Sequence, residues 1–290
     1  MESLNEAASG SWLVPLLDPA ARDMHSVVPH GYAAYARVFH PAARDRPADT
    51  LSWHGQDREV LVDVDSESVP WKEVARTFGT SMHALAQYHR LPGPAAGPYR
   101  EVLDAAGWRY SEPWQGNLDI HVLAAAASIL SRHTTTPGKG VAAIWEGWGG
   151  LTSSAGYSQL SFGTDGGGGR GTVTLGAEDG AGSGLLPASV VRGPRLELPG
   201  RSHFLFSSSP AEFTDPAWVR NAPWHHDPRW PQSPSLLWPE DRAWALVTEI
   251  DFHSTIIAGS SALVAELVAD PAIEALEIPE GADLTWDAGN

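Results

Sequence analysis

Cysteine is absent from this chain and lysine nearly so, with only Lys72 and Lys139 beside 17 arginines. Without thiols there is no disulfide framework and no Cys-ligated zinc, so nothing points to an oxidising compartment. Long hydrophobic runs are missing too. The first 23 residues carry no basic region, and their longest apolar stretch, residues 12–17, is interrupted by Pro15. Neither a secretory leader nor a membrane span is expected, and the cytoplasm is the expected location. Positive charge is scarce: 19 basic residues face 35 acidic ones, a net charge of −16. Such a field disfavours nucleic-acid phosphate and anionic lipid as partners. The imbalance is concentrated from Glu240 onward, where 11 acidic residues face Arg242 alone. This tail is a solvated face or a docking surface for a basic partner.

The chain is well supplied with core material: 42% of it is hydrophobic and it holds 13 tryptophans, while 23 prolines and 29 glycines imply many loops between short elements. A length of 290 residues fits one large α+β domain over 1–290, or two packed lobes, 1–135 and 136–290. The expected architecture is a mostly antiparallel sheet flanked by helices, with a Pro/Trp-rich irregular C-terminal half. Residues 163–184 read as a flexible Gly-rich insertion, since their glycine runs lack the Lys-Ser/Thr of a phosphate-binding loop.

Local patterns predict strands over residues 32–42, 57–67 and 141–150, and a hairpin from 195–198 and 203–207 turning at Pro199. Asn117 is expected to cap a helix running to His133 with an apolar stripe of Ile120, Leu123, Ala124, Ala127 and Leu130. A short helix is expected within residues 98–106. Ser68 and Pro70 are expected to start a helix ending at Gly79, followed by a second over residues 82–91. That pair has helix-turn-helix spacing and a local charge of +2 over residues 67–100, which makes a DNA-binding regulator the third functional reading.

The segment WPEDRAWALVTEIDFHST, residues 238–255, is the densest in chemistry. Read as a strand over 243–252, it places Trp244, Leu246, Thr248, Ile250 and Phe252 on one face, and Val247, Glu249, Asp251 and His253 on the other. Two carboxylates and an imidazole in a row suit general acid and base catalysis or an oxygen-and-nitrogen metal site. The plainer alternative is that the row meets Arg242, Arg195 or Arg201, or faces water. Helices are expected to start at Ser260 and Asp270, which would put Ser254, Thr255, Ser260 and Ser261 at a helix N-terminus near the end of the row. Trp238, Asp241, Arg242 and Ser254 are candidate binding residues. So are Trp145, Glu146 and Trp148, because a carboxylate among indoles needs a partner. His225, His226 and Asp227 are the candidate metal ligands, although adjacent side chains rarely converge on one ion. No cofactor is expected.

Taken together, SVPWKEVARTFGTSMHALAQYHRL, IWEGWG, RLELPGRSHFLF and SLLWPEDRAWALVTEIDFHSTIIAGSSALVAEL resemble a family of uncharacterised actinobacterial proteins of similar length. The resemblance implies a bacterial cytoplasm and one fold shared by the Trp-rich motifs. It carries no activity over to any residue. The leading expectation is a binding protein that recognises a protein partner or small ligand through the Trp-rich, acidic C-terminal half. The alternative is a hydrolase using Glu249, Asp251 and His253, with or without a metal.

Overall fold

The chain passes from one sheet to another at His40 and Pro41, and this crossing organises the fold. The computed structural model describes residues 1–55, 63–93, 102–152, 184–225 and 231–285. In chain order the elements are β1 (Glu2–Ser3), β2 (Ala34–Phe39), β3 (Ala42–Pro47), β4 (Val64–Val69), α1 (Trp71–Phe78), β5 (Val102–Leu103), β6 (Arg109–Ser111), α2 (Ile120–Leu130) and β7 (Gly140–Trp145). They continue with α3 (Ala188–Val191), β8 (Leu196–Leu198), β9 (Arg201–Ser208), β10 (Leu236–Pro239), β11 (Ala245–Val247), β12 (Ser254–Gly259), α4 (Ser261–Ala269) and β13 (Ala275–Ile278). The large sheet runs β1-β9-β7-β10-β11-β12-β2-β13, with β8 also on β9; the small one runs β4-β3-β6-β5. Every described pairing is antiparallel, and the fold is α+β.

Alternation along the strands of the large sheet separates two cores. Ala36 and Val38 of β2, Phe204 and Phe206 of β9, Leu246 of β11 and Ile257 of β12 face α2 and α4. Tyr35, Leu205, Val247 and Ile256 face the opposite way, onto a layer built from Leu13, Met24 and Val28 near one end of the chain and Ala282 and Leu284 near the other. A third core joins α1 to the small sheet through Trp71, Tyr88 and Tyr110.

Helix α2 carries buried Leu123, Ala124, Ala127 and Leu130, as its periodicity predicts, but its cap is Asp119, whose carboxylate accepts from the His121 and Val122 N–H groups. Helix α1 ends at Gly79, which adopts φ 71°, a conformation glycine enters without a Cβ penalty. The Trp-rich stretch folds inward on two short 3-10 turns, Pro210–Thr214 and Pro216–Asn221. Trp218 packs 5.1 Å from Phe213, and Trp224 packs 4.9 Å from Phe206.

Several expectations are corrected. The second helix of the helix-turn-helix does not form; residues 82–91 hold turns and one 3-10 turn, Tyr88–Arg90. A helix would direct the Ala84 and Ala86 carbonyls to the N–H groups four residues on, but both accept instead from Arg37 Nη1, at 3.0 and 2.9 Å. Within residues 98–106, Val102–Leu103 is the strand β5, and 98–101 lie outside the described residues. Of the strand expected over 57–67, residues 57–62 lie outside the described residues and the strand runs Val64–Val69. The Gly-rich residues 163–183 also lie outside them. After Asp270 there is a turn and then β13 rather than a helix, because the chain completes the sheet on β2.

Candidate functional site

The strand expected over 243–252 stops at Val247. Thr248 donates its N–H to the Ser235 carbonyl at 2.7 Å, Phe252 closes a turn onto the Glu249 carbonyl at 3.0 Å, and β12 then returns along β11. Glu249, Asp251 and His253 therefore do not stand in one row. Gly116 supports this turn: its N–H donates to the Phe252 carbonyl at 3.0 Å, and a Cβ at Gly116 would fall 2.6 Å from Ile250 Cα.

The turn delivers Glu249 and Asp251 to Arg201, at the start of β9. One Arg201 Nη2 donates to Glu249 Oε1 and to Asp251 Oδ2, both at 2.9 Å. This is the arginine-paired alternative, with Arg201 as the arginine. Two residues along β9, on the same face by strand alternation, stands His203, only 4% exposed. Arg201, His203 and Glu249 line a small groove whose walls include Val27 from the layer over the sheet, Leu198 of β8 and Val247 of β11.

The electrostatics of the groove are set by burial. Burial raises the Glu249 carboxyl above its ordinary value and Asp251 adds to the rise, while the Arg201 pair opposes it. Burial, with the charge of Arg201 in support, lowers His203 to about 4, with the Leu196 backbone opposing weakly, so its imidazole is neutral at pH 7. Two polar atoms of the groove's residues, His203 Nδ1 and Arg201 Nε, are buried with no hydrogen-bond partner among the described residues. Such atoms cost about 1–3 kcal/mol each when left unmet.

His253 turns to a different neighbourhood. It is buried, with Nε2 3.9 Å from Glu112 and its ring 6.4 Å from Tyr88. Burial, aided by the charges of Arg37 and His89, lowers it to about 4. Ser254 accepts from Arg37 Nε at 2.9 Å, and Thr255 joins His40 and Thr248 in a buried hydrogen-bonded chain. Ser260 caps α4 through the Leu263 N–H. The expected cluster of hydroxyls at a helix N-terminus beside the carboxylates is thus not formed: the six residues of β12 separate the turn from α4 by about 20 Å.

The other candidate binding residues have partners within the protein. Trp238 is buried edge-on to Trp12 at 6.0 Å, and the Arg242 guanidinium lies 5.1 Å from the Trp12 ring. Burial opposes ionisation of Asp241, but hydrogen bonds from Thr135 and Thr134 hold it at about 2. Glu146 finds its partner in Arg195 at 3.1 Å, while Trp145 and Trp148 pack edge-on at 5.9 Å. Of the candidate metal ligands, His226 and Asp227 lie outside the described residues, whereas His225 lies within them.

His203 was missed in the sequence. Its signal is nevertheless there: SHFLF places one imidazole among alternating apolar side chains, on the face shared with Arg201 and Leu205. The arrangement is that of an α+β protein with a groove at the open end of a β-hairpin. No protein-family model, curated protein or solved structure matches the chain.

Proposed function

We propose that the protein binds a small organic ligand in the Arg201–His203–Glu249 groove, one with an apolar body and a polar head such as a carbonyl or carboxylate. The observation that carries this reading is the pair of unmet polar atoms, His203 Nδ1 and Arg201 Nε, on residues of one groove. Both atoms are closed to solvent, so a ligand reaches them by opening the groove; its oxygen then accepts from Arg201 Nε–H, and a donor or acceptor meets His203. Leu198 and Val247 receive the body. A protein partner held by the Trp-rich half is less well supported, because Trp218, Trp224, Trp238 and Trp244 are all buried. Among the described tryptophans only Trp114 is largely exposed, at 52%.

A second reading, a hydrolase, draws support from Glu249: a carboxyl raised by burial and a neutral imidazole lining the same groove suit proton transfer. The acid and base would then be Glu249 and His203. One experiment addresses both readings. Saturation-transfer NMR with short-chain carboxylates, amides and esters is expected to give signals that vanish when Val27→Trp fills the groove. Equal signals from both proteins would discard the groove. Under the hydrolase reading, Glu249→Gln retains ester binding but slows ester cleavage by about 100-fold or more; simple binding without turnover leaves only the first reading.

A further inference from the structure

Within the layer that covers the sheet, two segments distant in sequence meet at His25, His30 and Glu280. His25 is buried, His30 is half-exposed, and Glu280 stands in a turn with an exposed side chain. One ligand atom from each lies within 4.8 Å of the other two. We propose that these three side chains bind a divalent transition-metal ion of the Zn²⁺ type, independently of the groove's ligand.

The distances fit. Glu280 Oε1 is 3.8 Å from His25 Nε2 and 3.5 Å from His30 Nδ1. A tetrahedral ion with bonds of about 2.0–2.2 Å holds its ligand atoms about 3.3–3.6 Å apart, so small side-chain movements close the set. Two imidazoles and one carboxylate suit zinc, nickel or copper better than calcium or magnesium, which favour all-oxygen shells. The set leaves a fourth position for water.

His25 is prepared for this role by its hydrogen bonds. The Gly281 N–H donates to Nε2 at 3.2 Å, which requires Nε2 to be the unprotonated nitrogen. The proton is then on Nδ1, which faces the Val28 carbonyl at 3.0 Å. That is the tautomer a metal needs, held by the backbone-carbonyl contact typical of metal-bound histidine. The ion replaces the long Gly281 bond. His30 stacks on His25 with ring centroids 3.5 Å apart, so its ring must turn to aim Nδ1 at the ion; its 45% exposure leaves it room. A net charge of −16 also concentrates cations around the molecule.

The test uses the tag-free full chain, stripped with chelator and titrated calorimetrically with zinc chloride, with cobalt chloride followed by its visible absorption. One zinc per chain, a higher melting temperature and tetrahedral cobalt bands are expected. His30→Ala and Glu280→Gln, both on exposed side chains and so expected to fold, should each weaken zinc binding at least tenfold. His121→Ala, at an exposed histidine elsewhere, should leave it unchanged. Absence of zinc binding, or unchanged affinity and stoichiometry in both variants, would overturn the site. Neither result bears on the groove, which is read with metal absent.

Discussion

Arg37 is buried to 2% exposure, and no carboxylate pairs with it among the described residues. Burial lowers its pKa to about 9, yet it stays charged at neutral pH. What holds it is distributed: Ser254 Oγ, the Ala84 and Ala86 carbonyls, and the faces of Phe39 and Trp71 at 4.9 and 5.7 Å. The charge is met by dipoles and aromatic rings rather than by an opposite charge. Arg37→Met keeps the bulk but removes the donors of two carbonyls, and should cost roughly 2–4 kcal/mol. Urea unfolding measures that loss, and hydrogen exchange should place it in residues 82–91. A variant as stable as the wild type would mean that the Arg37 bonds do not hold this loop.

Elements were legible in the sequence where one local rule acted alone. The periodicity of α2, the glycine stop of α1, the Pro-Gly hairpin of β8 and β9 and the Ser260 cap of α4 each follow from residues within one or two turns. Where distant residues decide, the sequence misled. Residues 82–91 have helical spacing, but Arg37 from β2 takes their carbonyls. Residues 243–252 alternate like a strand, but Ser235 and Gly116 bend them into a turn. Of the candidate site, Glu249 and Asp251 were legible, with Arg201 one of three arginines weighed against water; SHFLF marks His203 as an inward imidazole, but nothing local says that the turn comes to β9. Gly116 has φ 63° and no room for a methyl against Ile250, so Gly116→Ala should displace the turn and cost more than about 1 kcal/mol. Thermal melts check the cost, and NMR shifts at Glu249 and Arg201 check the displacement. A variant with native shifts at both residues would detach Gly116 from the groove.

At the scale of the whole molecule, the buried histidines tie stability to pH. Burial holds His40 at about 3, and His203 and His253 at about 4. In the unfolded chain each takes a proton near the ordinary imidazole value of about 6.5. Below that pH the unfolded state therefore binds more protons than the native one, and stability falls as pH falls, by up to about 4 kcal/mol per unit for three groups. Glu249 and Glu274, raised by burial, act in the opposite direction nearer the carboxylate range, so the loss sets in near pH 6.5 and steepens over about the next unit below it. Urea titrations between pH 7.5 and 5 are expected to show it, and a flat profile there would mean that these histidines are not held neutral. The crossing at His40 and Pro41 has a different consequence, one of timing. Strand β2 lies between β12 and β13, with Ala36 opposite Ile257 and Glu277, so one edge of the large sheet joins residues more than 200 positions apart. During synthesis β2 leaves the ribosome long before either neighbour exists, with Val38 and Phe39 awaiting partners made last. Contacts of such long range close slowly, and until β12 and β13 emerge the nascent chain depends on dilution or a chaperone to keep β2 from pairing elsewhere.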